Sequence, residues 1–293
     1  MNYKIIKKSN VIYKIFIICL MYVSIITASS FYCMNVVVRA ESFEKIYYCD
    51  DVGYLGGTTH LEEEEFYYDY KTSETYVINN DSFPNYYNTN NALQNICANV
   101  AGANIIGYYD RNCENLITNF VPGIQRPYGY LYYNMMQNAQ AIQGVINTLY
   151  YDMETNSEQP GTSQIDYENG LEKYVEDRGY NITYCSIMSG ETLSLMSLKN
   201  QIQLGRPTSI FLSGFNFTQV IDTDNHVLLK KNVSDANHIV VAYGYENVNY
   251  YNSSDVLVAT KTYIHIASGQ NATPNIYLLD NSQVDDAQAV YIY

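Results

Sequence analysis

One run of small and apolar residues constrains the fold of this chain most. It extends from Ile96 to Asp110 and reads ICANVAGANIIGYYD. A helix formed by these residues has almost no polar face, so it must be buried. Cys97 then lies in the first turn, where unpaired N–H groups and the positive end of the helix dipole favour a thiolate over a thiol. Cys97 is therefore a candidate nucleophile, with a small buried hydrophobic residue as the alternative.

The composition indicates a globular and acidic protein. Hydrophobic residues make up 47% of the 293 residues and charged residues only 16%, which excludes an intrinsically disordered chain. The formal net charge is −14, so nucleic acid and anionic membrane surfaces are not expected as partners.

The first 40 residues have the pattern of a secretory signal peptide. Four lysines, the first at Lys4 and the last at Lys14, precede an uncharged run from Ile15 to Val38. Small residues then occupy the −3 and −1 positions of a signal-peptidase cleavage site, which predicts cleavage after Ala40. If it stays uncleaved, the apolar run is long enough to anchor the protein in a membrane. Either outcome predicts a secreted or cell-surface protein.

Residues 41–84 have the least core-like composition of the exported part. They contain the acidic run Glu62 to Glu65 and end in a polar segment before Pro84. A charge run of this kind is usually a solvated face or a tail. We expect a loosely structured extension or a propeptide, and an inhibitory prosegment acting in cis is one possibility. The remaining residues, 85–293, are then one catalytic domain with a helical part (85–205) and a β part (206–293).

Helical patterns precede strand patterns within this domain. Helices are expected from Cys97 to a point between Asp110 and Asn112, from Leu131 to Met153, after a Thr162 or Ser163 N-cap as far as Gly179, and from about Thr192 to Leu204. Short β-branched or aromatic segments follow Pro207, and they are predicted as strands over 208–215, 227–230, 238–245, 256–259, 262–267, 276–279 and 287–293. This order predicts an α+β fold with two subdomains that meet along a cleft.

His238 is the best candidate for the base that a nucleophilic cysteine needs. It begins the apolar strand HIVVAYGY after a polar turn, which places its ring at the end of a sheet. The separation from Cys97 lies within the roughly 130–150 residues found between Cys and His in papain-type enzymes. A histidine that only caps the strand is the alternative interpretation, and His265 is an alternative base. The histidines have no helical metal-ligand spacing, and we expect no metal or other cofactor. The spacing of Cys49, Cys113 and Cys185 matches no disulfide framework.

Together, NICANVAGANIIGYYD around Cys97 and HIVVAYGY from His238 resemble the exported bacterial cysteine peptidases of the papain-like clan, in particular the C39-like and streptopain-like groups. The segment Leu204-Gly205-Arg206-Pro207 before a strand is similar to that group as well. The resemblance covers roughly Pro84 to Gly269. It implies a papain-like fold, with the cysteine at a helix N-terminus in a helical subdomain and the histidine in a following antiparallel β subdomain.

The resemblance also implies a mechanism and the residues that carry it. Cys97 and His238 would form a thiolate–imidazolium pair that attacks a peptide carbonyl and gives an acyl-enzyme. The oxyanion would be held by the Cys97 N–H and an upstream side-chain amide, for which Gln94 is preferred and Asn91 is the alternative. An Asn or Asp on a later strand should orient the base. Ala267 and Ser268 occupy that place, so the substitutes are Asp280 first and Asn281 second.

Three functions remain open at this point. A secreted thiol protease that acts on peptide or protein substrates is the first. A Cys-His acyltransferase of transglutaminase type would use the same nucleophile and base. A catalytically weak surface or binding protein built on a peptidase fold would explain the missing orienting residue.

Overall fold

The structure is a computed structural model in which the residues from Glu44 onward form one compact unit. It describes residues 59–78, 83–89, 92–120, 139–270, 275–279 and 283–293, together with the backbone of three short strands at 46–47, 123–125 and 131–133. The predicted signal peptide therefore lies outside the described residues.

Helix α1 spans Cys97–Asp110, which confirms the helix predicted from the apolar run. All 14 of its residues are buried, as expected of a helix without a polar face. It packs against the strand that begins at His238 and against the next helix. Its N-cap residue is Ile96, which has no side-chain acceptor for the N–H groups of the first turn.

Three further helices are described, and local capping explains where two of them begin. Helix α2 spans Ala139–Asp152, and residues 131–133, predicted as its start, form a strand instead. Helix α3 spans Gln164–Glu176, and its N-cap Ser163 accepts a hydrogen bond from Asp166 N at 3.0 Å. Helix α4 spans Leu195–Gln203, with Ser194 capping Ser197 N in the same way. Such caps satisfy N–H groups that have no partner within the helix.

The strands belong mainly to one large sheet. In chain order they are β1 Ile46–Tyr47, β2 Thr59–Tyr67, β3 Tyr70–Val77, β4 Gly123–Gln125, β5 Leu131–Tyr133, β6 Thr162–Ser163, β7 Ile182–Ser186, β8 Met188–Ser189, β9 Thr192–Leu193, β10 Thr208–Leu212, β11 Phe215–Thr223, β12 His226–Ser234, β13 His238–Tyr251, β14 Leu257–Ala267, β15 Ile276–Leu279 and β16 Val284–Ile292.

The ten-stranded sheet is antiparallel and has the order β2-β12-β11-β15-β14-β13-β10-β16-β7, with β3 paired to the second half of β13. Strand β13 is its centre, because it pairs with β10 near its start and with β14 and β3 further along. The first residues of β13 and all five of β10 are buried. This explains their continuous apolar sequence, since strands covered on both faces do not alternate.

Two hydrophobic cores stabilise the unit. The main core contains α1, the inner faces of α2, α3 and α4, and the strands around β10 and β13. A smaller core lies between β2, β12 and the distal half of the β13–β14 hairpin, where Val227, Leu229 and Tyr250 are buried. Phe66 from β2 packs edge-on against Tyr250 with ring centroids 4.9 Å apart.

The predicted fold class is wrong. Among the described residues strands account for 44% and helices for 24%, so the protein is mainly antiparallel β and not an α+β papain-like fold. There is also no separate helical subdomain around Cys97. The physical reason is that α1 is apolar all round and is covered on one side by β13, so helices and strands share the main core.

Residues 59–77, which the sequence places in an extension or propeptide, form β2 and β3. Nine residues of β2 pair with β12, and eight of β3 pair with β13. A propeptide over 41–84 with an inhibitory role stays a prediction. No helix in the described part of the chain is both long and apolar enough to span a membrane.

Candidate active site

His238 is the first residue of β13 and is completely buried. Its Nε2 lies 2.9 Å from the carbonyl oxygen of Ser268, which follows the end of β14. A carbonyl oxygen only accepts hydrogen bonds, so Nε2 carries the proton. In the neutral imidazole, Nδ1 then keeps its lone pair and can act as a base.

Two phenylalanines of β11 fix the plane of the imidazole. Phe215 and Phe217 stack on each other, and their centroids lie 5.3 and 5.4 Å from the centroid of the His238 ring. This apolar enclosure disfavours the charged imidazolium. Burial therefore lowers the pKa of His238 to about 4, although its hydrogen bond to Ser268 acts in the opposite direction.

Cys97 is the first residue of α1 and is also buried, with 2% of its surface exposed. The first-turn N–H groups of a helix attract negative charge. An accepting side chain at the N-cap position would occupy some of these N–H groups, but the N-cap residue Ile96 has no hydrogen-bond acceptor in its side chain. The preceding residues are held by Asn156, whose Nδ2 donates to Gln94 O at 3.0 Å and whose Oδ1 accepts from Asn95 Nδ2 at 2.9 Å.

The first turn of α1 meets the residues that orient His238. A methyl group placed on Gly269 would lie 3.1 Å from Cγ1 of Val100, one turn after Cys97. Gly269 directly follows Ser268, whose carbonyl holds the imidazole. Nδ1 of His238 is buried and has no hydrogen-bond partner among the described residues, Cys97 included. The contact between Gly269 and Val100 thus links the segment that orients His238 to the first turn of α1, while Nδ1 makes no hydrogen bond with the Cys97 thiol.

The other predicted site residues fall into two groups. Asp280 and Asn281, proposed to orient the base, lie outside the described residues, as does Asn91. Gln94, the preferred oxyanion donor, is described and has an exposed side chain. Its role stays a prediction.

His265, the alternative base, has an aromatic environment. Its ring packs against Tyr277 and Tyr243, with centroids 4.8 and 5.9 Å away. No set of three His, Cys, Asp or Glu side chains within the described residues could hold a metal ion.

Three elements around the His238 ring were missed from the sequence. Phe215 and Phe217 belong to β11, of which only Phe215 was predicted as strand, at the end of the segment 208–215, and their spacing of two is the signal that could have placed both on one face. The Ser268 carbonyl gives no sequence signal, because every residue has one.

Comparisons of this chain with models of known protein families, with curated proteins and with solved structures found no match. The assignment of function therefore depends on the residues themselves.

Proposed function

We propose that this protein is an exported cysteine peptidase in which Cys97 is the nucleophile and His238 is the base. The observation that carries the proposal is the state of the His238 ring. One nitrogen donates to a fixed carbonyl, the other is buried without a partner, and Gly269, next to Ser268, lies against Val100 in the first turn of the Cys97 helix. A buried polar atom without a partner is costly, and a catalytic role is one of the explanations for such an atom in a native structure.

The chemistry follows from these positions. Nδ1 takes the proton of the Cys97 thiol as Sγ attacks the carbonyl carbon of a peptide bond. The oxyanion forms at the N-terminus of α1, where backbone N–H groups can stabilise it. The imidazolium then returns its proton to the leaving amine as the C–N bond breaks. Water, deprotonated by the same nitrogen, releases the acyl group as a carboxylic acid and restores the thiol.

Because burial lowers the pKa of His238 to about 4, its imidazole is neutral at rest. Both side chains are almost inaccessible, so neighbouring groups must move before a substrate carbonyl reaches Sγ. We therefore expect the reaction of Cys97 with small electrophiles to depend on His238, which the reaction of an unassisted thiol would not do. The signal-like residues 1–40 support action outside the cytoplasm on peptide or protein substrates.

Alkylation with iodoacetamide, followed by peptide mapping, tests the nucleophile. We expect Cys97 to react faster than Cys113, because burial raises the pKa of the Cys113 thiol, and faster than Cys185 at the sheet edge. His238→Gln should slow the labelling of Cys97 at least about tenfold. The exposed His60 lies in β2, so His60→Gln is the matched control and should leave the rate unchanged.

Cleavage of a peptide library tests the reaction. Cleavage should disappear in Cys97→Ala and persist in Cys185→Ala. Activity that survives in Cys97→Ala, or equal labelling of Cys97 and Cys185, would contradict the proposal. Formation of an amide with an added primary amine, in preference to the acid, would assign acyl transfer instead of hydrolysis.

A further inference from the structure

The described arginines of this acidic protein form no ion pairs. The chain has 30 acidic residues, and every ion pair within the described residues is formed by a lysine or a histidine. Arg111 and Arg206 instead lie over tyrosine rings, with Cζ 4.3 Å from the centroid of Tyr108 and 4.9 Å from that of Tyr291. Arginine is the side chain best suited to bind a carboxylate. Its guanidinium groups are therefore able to bind an anion from outside the protein.

Arg206 is the better placed of the two for an external ligand. Its side chain is half-buried, and among the described residues its Nη1 donates only to Gln201 Oε1, at 3.3 Å. A guanidinium has five N–H donors in a planar fork, so most of them stay available. Tyr291, on which Arg206 lies, is partly exposed, whereas Tyr108 beneath Arg111 is buried.

Two exposed tyrosines continue the surface beside Arg206. The rings of Tyr291 and Tyr293 stack with centroids 5.2 Å apart and an angle of 19° between their planes, and they are 39% and 53% exposed. Residues two apart in β16 project to the same face of the sheet. Val290 and Ile292 project to the other face and belong to the main core. We call Arg206, Tyr291 and Tyr293 the arginine–tyrosine surface.

Strand β7 adds polar side chains to this surface. Tyr291 is the register partner of Thr183, and Tyr293 exchanges two backbone hydrogen bonds with Asn181, at 2.9 and 3.0 Å. Thr183 and Asn181 are both exposed. Because directly opposed residues of an antiparallel pair project to the same face, a hydroxyl and an amide border the two rings.

We propose that the arginine–tyrosine surface binds a sugar residue that bears a carboxylate. The C–H bonds on one face of a pyranose ring are apolar and slightly positive, so they pack on the negative face of an aromatic ring. Arg206 binds the carboxylate through two parallel hydrogen bonds, and Thr183 and Asn181 bind hydroxyl groups of the sugar. The pair of exposed rings favours a sugar acid over an acidic peptide, because a peptide carboxylate needs only the guanidinium.

The charge of the protein and the place of the surface define the inference further. A net charge of −14 repels polyanions, which favours a single carboxylate on an otherwise neutral glycan. Tyr291 contacts Tyr109 with ring centroids 6.3 Å apart. Tyr109 lies in the last turn of α1, about 18 Å from Cys97 along the helix axis. The surface is therefore separate from the candidate active site, and the inference does not depend on the proposed peptidase function.

NMR titration of the full chain with methyl β-glucuronide measures the binding. Methyl β-glucoside has the same ring without the carboxylate, and acetate has the carboxylate without the ring. We expect the glucuronide to bind at least about tenfold more tightly than either of them, because only the glucuronide contacts both the guanidinium and the tyrosine rings.

Variants assign the binding to the named side chains. Arg206→Gln should lower the affinity for the glucuronide about tenfold, to that of the glucoside. Tyr293→Ala should weaken the binding of both sugars, and Tyr293→Phe should keep it. Lys230→Gln removes an exposed cation from β12, and Tyr151→Ala removes an exposed tyrosine from α2. Both are matched controls and should leave the affinity unchanged. Circular dichroism checks that each variant is folded.

Four outcomes would overturn the inference. The glucuronide does not bind, or acetate binds as tightly as the glucuronide, which would show a general anion site. A tetraglutamate peptide binds more tightly than the glucuronide, which would assign the surface to an acidic protein segment. Folded Arg206→Gln keeps the affinity of the wild type. None of these measurements involves peptide cleavage, so a failure here leaves the peptidase proposal standing, and a failure of that proposal leaves the sugar site standing.

Discussion

The buried imidazole predicts a specific loss of stability in mild acid. The perturbation is a fall in pH from 7.5 to 4, applied to the wild type and to His238→Gln. Glutamine can still donate to the Ser268 carbonyl but does not titrate. Any difference between the two proteins in how the free energy of unfolding depends on pH therefore reports the protonation of His238.

The expected magnitude follows from the pKa. Burial between Phe215 and Phe217 lowers the pKa of His238 from 6.5 to about 4. The unfolded chain thus binds a proton in a pH range where the folded protein does not. Stability from the neutral imidazole is complete above pH 6.5 and is lost as the pH falls towards 4. This lowering of the His238 pKa corresponds to a loss of about 3 kcal/mol in the free energy of unfolding.

Urea unfolding, followed by circular dichroism at several pH values, measures the effect. We expect the wild type to lose about 3 kcal/mol more than His238→Gln between pH 6.5 and 4. Asp110, whose pKa burial raises to about 7, contributes equally to both proteins and cancels. His60→Gln should follow the wild type. If the free energy of unfolding fell with pH by the same amount in the wild type and in His238→Gln, a buried neutral histidine would be refuted.

Two pairs of variants test packing elsewhere in the fold. Phe66→Ala should lower the free energy of unfolding by about 1–3 kcal/mol, because the half-buried ring packs on Tyr250. Leu61 lies on the same strand and is 82% exposed, so Leu61→Ala should change the free energy of unfolding by less than about 0.5 kcal/mol. Equal losses for the two variants in urea unfolding would show that β2 is not anchored. Gly170→Ala should lower the melting temperature, because its methyl group would lie 2.6 Å from a backbone nitrogen just after α2. The added methyl group of Gly144→Ala meets nothing within 4 Å, so this variant should stabilise the protein by about 0.5–1 kcal/mol. A higher melting temperature for Gly170→Ala than for Gly144→Ala would contradict this packing.

Local patterns in the sequence were sufficient for α1 and α3 and for the central strands β10 and β13, whereas β11, which carries Phe217 of the main core, was missed. The run around Cys97 predicted α1, and the start of α3 followed from a Ser163 cap. The strand at Ile276–Leu279 was predicted with its observed bounds. These elements have either a helical period or a continuous apolar run, and nothing distant is needed to recognise them.

The acidic strand β2 could not be predicted in this way, because its charges are compensated by distant residues. Glu64 accepts hydrogen bonds from Lys231 and Lys261, each at 2.6 Å. These lysines hold the pKa of Glu64 below its usual value and are 167 and 197 residues away in sequence. A run of four glutamates therefore suggested a solvated tail. The error in fold class has the same origin, because the unpredicted strands β2 and β3 enlarge the ten-stranded sheet and make the fold mainly β.

The same limit applies to the candidate site, and it bears on how the His238 ring is oriented. His238 could be predicted because its position at the start of an apolar strand is a sequence feature. Its orienting group is a backbone carbonyl that becomes available only because β14 ends beside β13, with Ala267 paired to Val241. A search for an Asn or Asp side chain would therefore fail at Ser268 even if the imidazole is well oriented. Because the acceptor is held by the sheet and not by a rotatable side chain, it fixes the Nε2–H tautomer whichever residue stands at position 268.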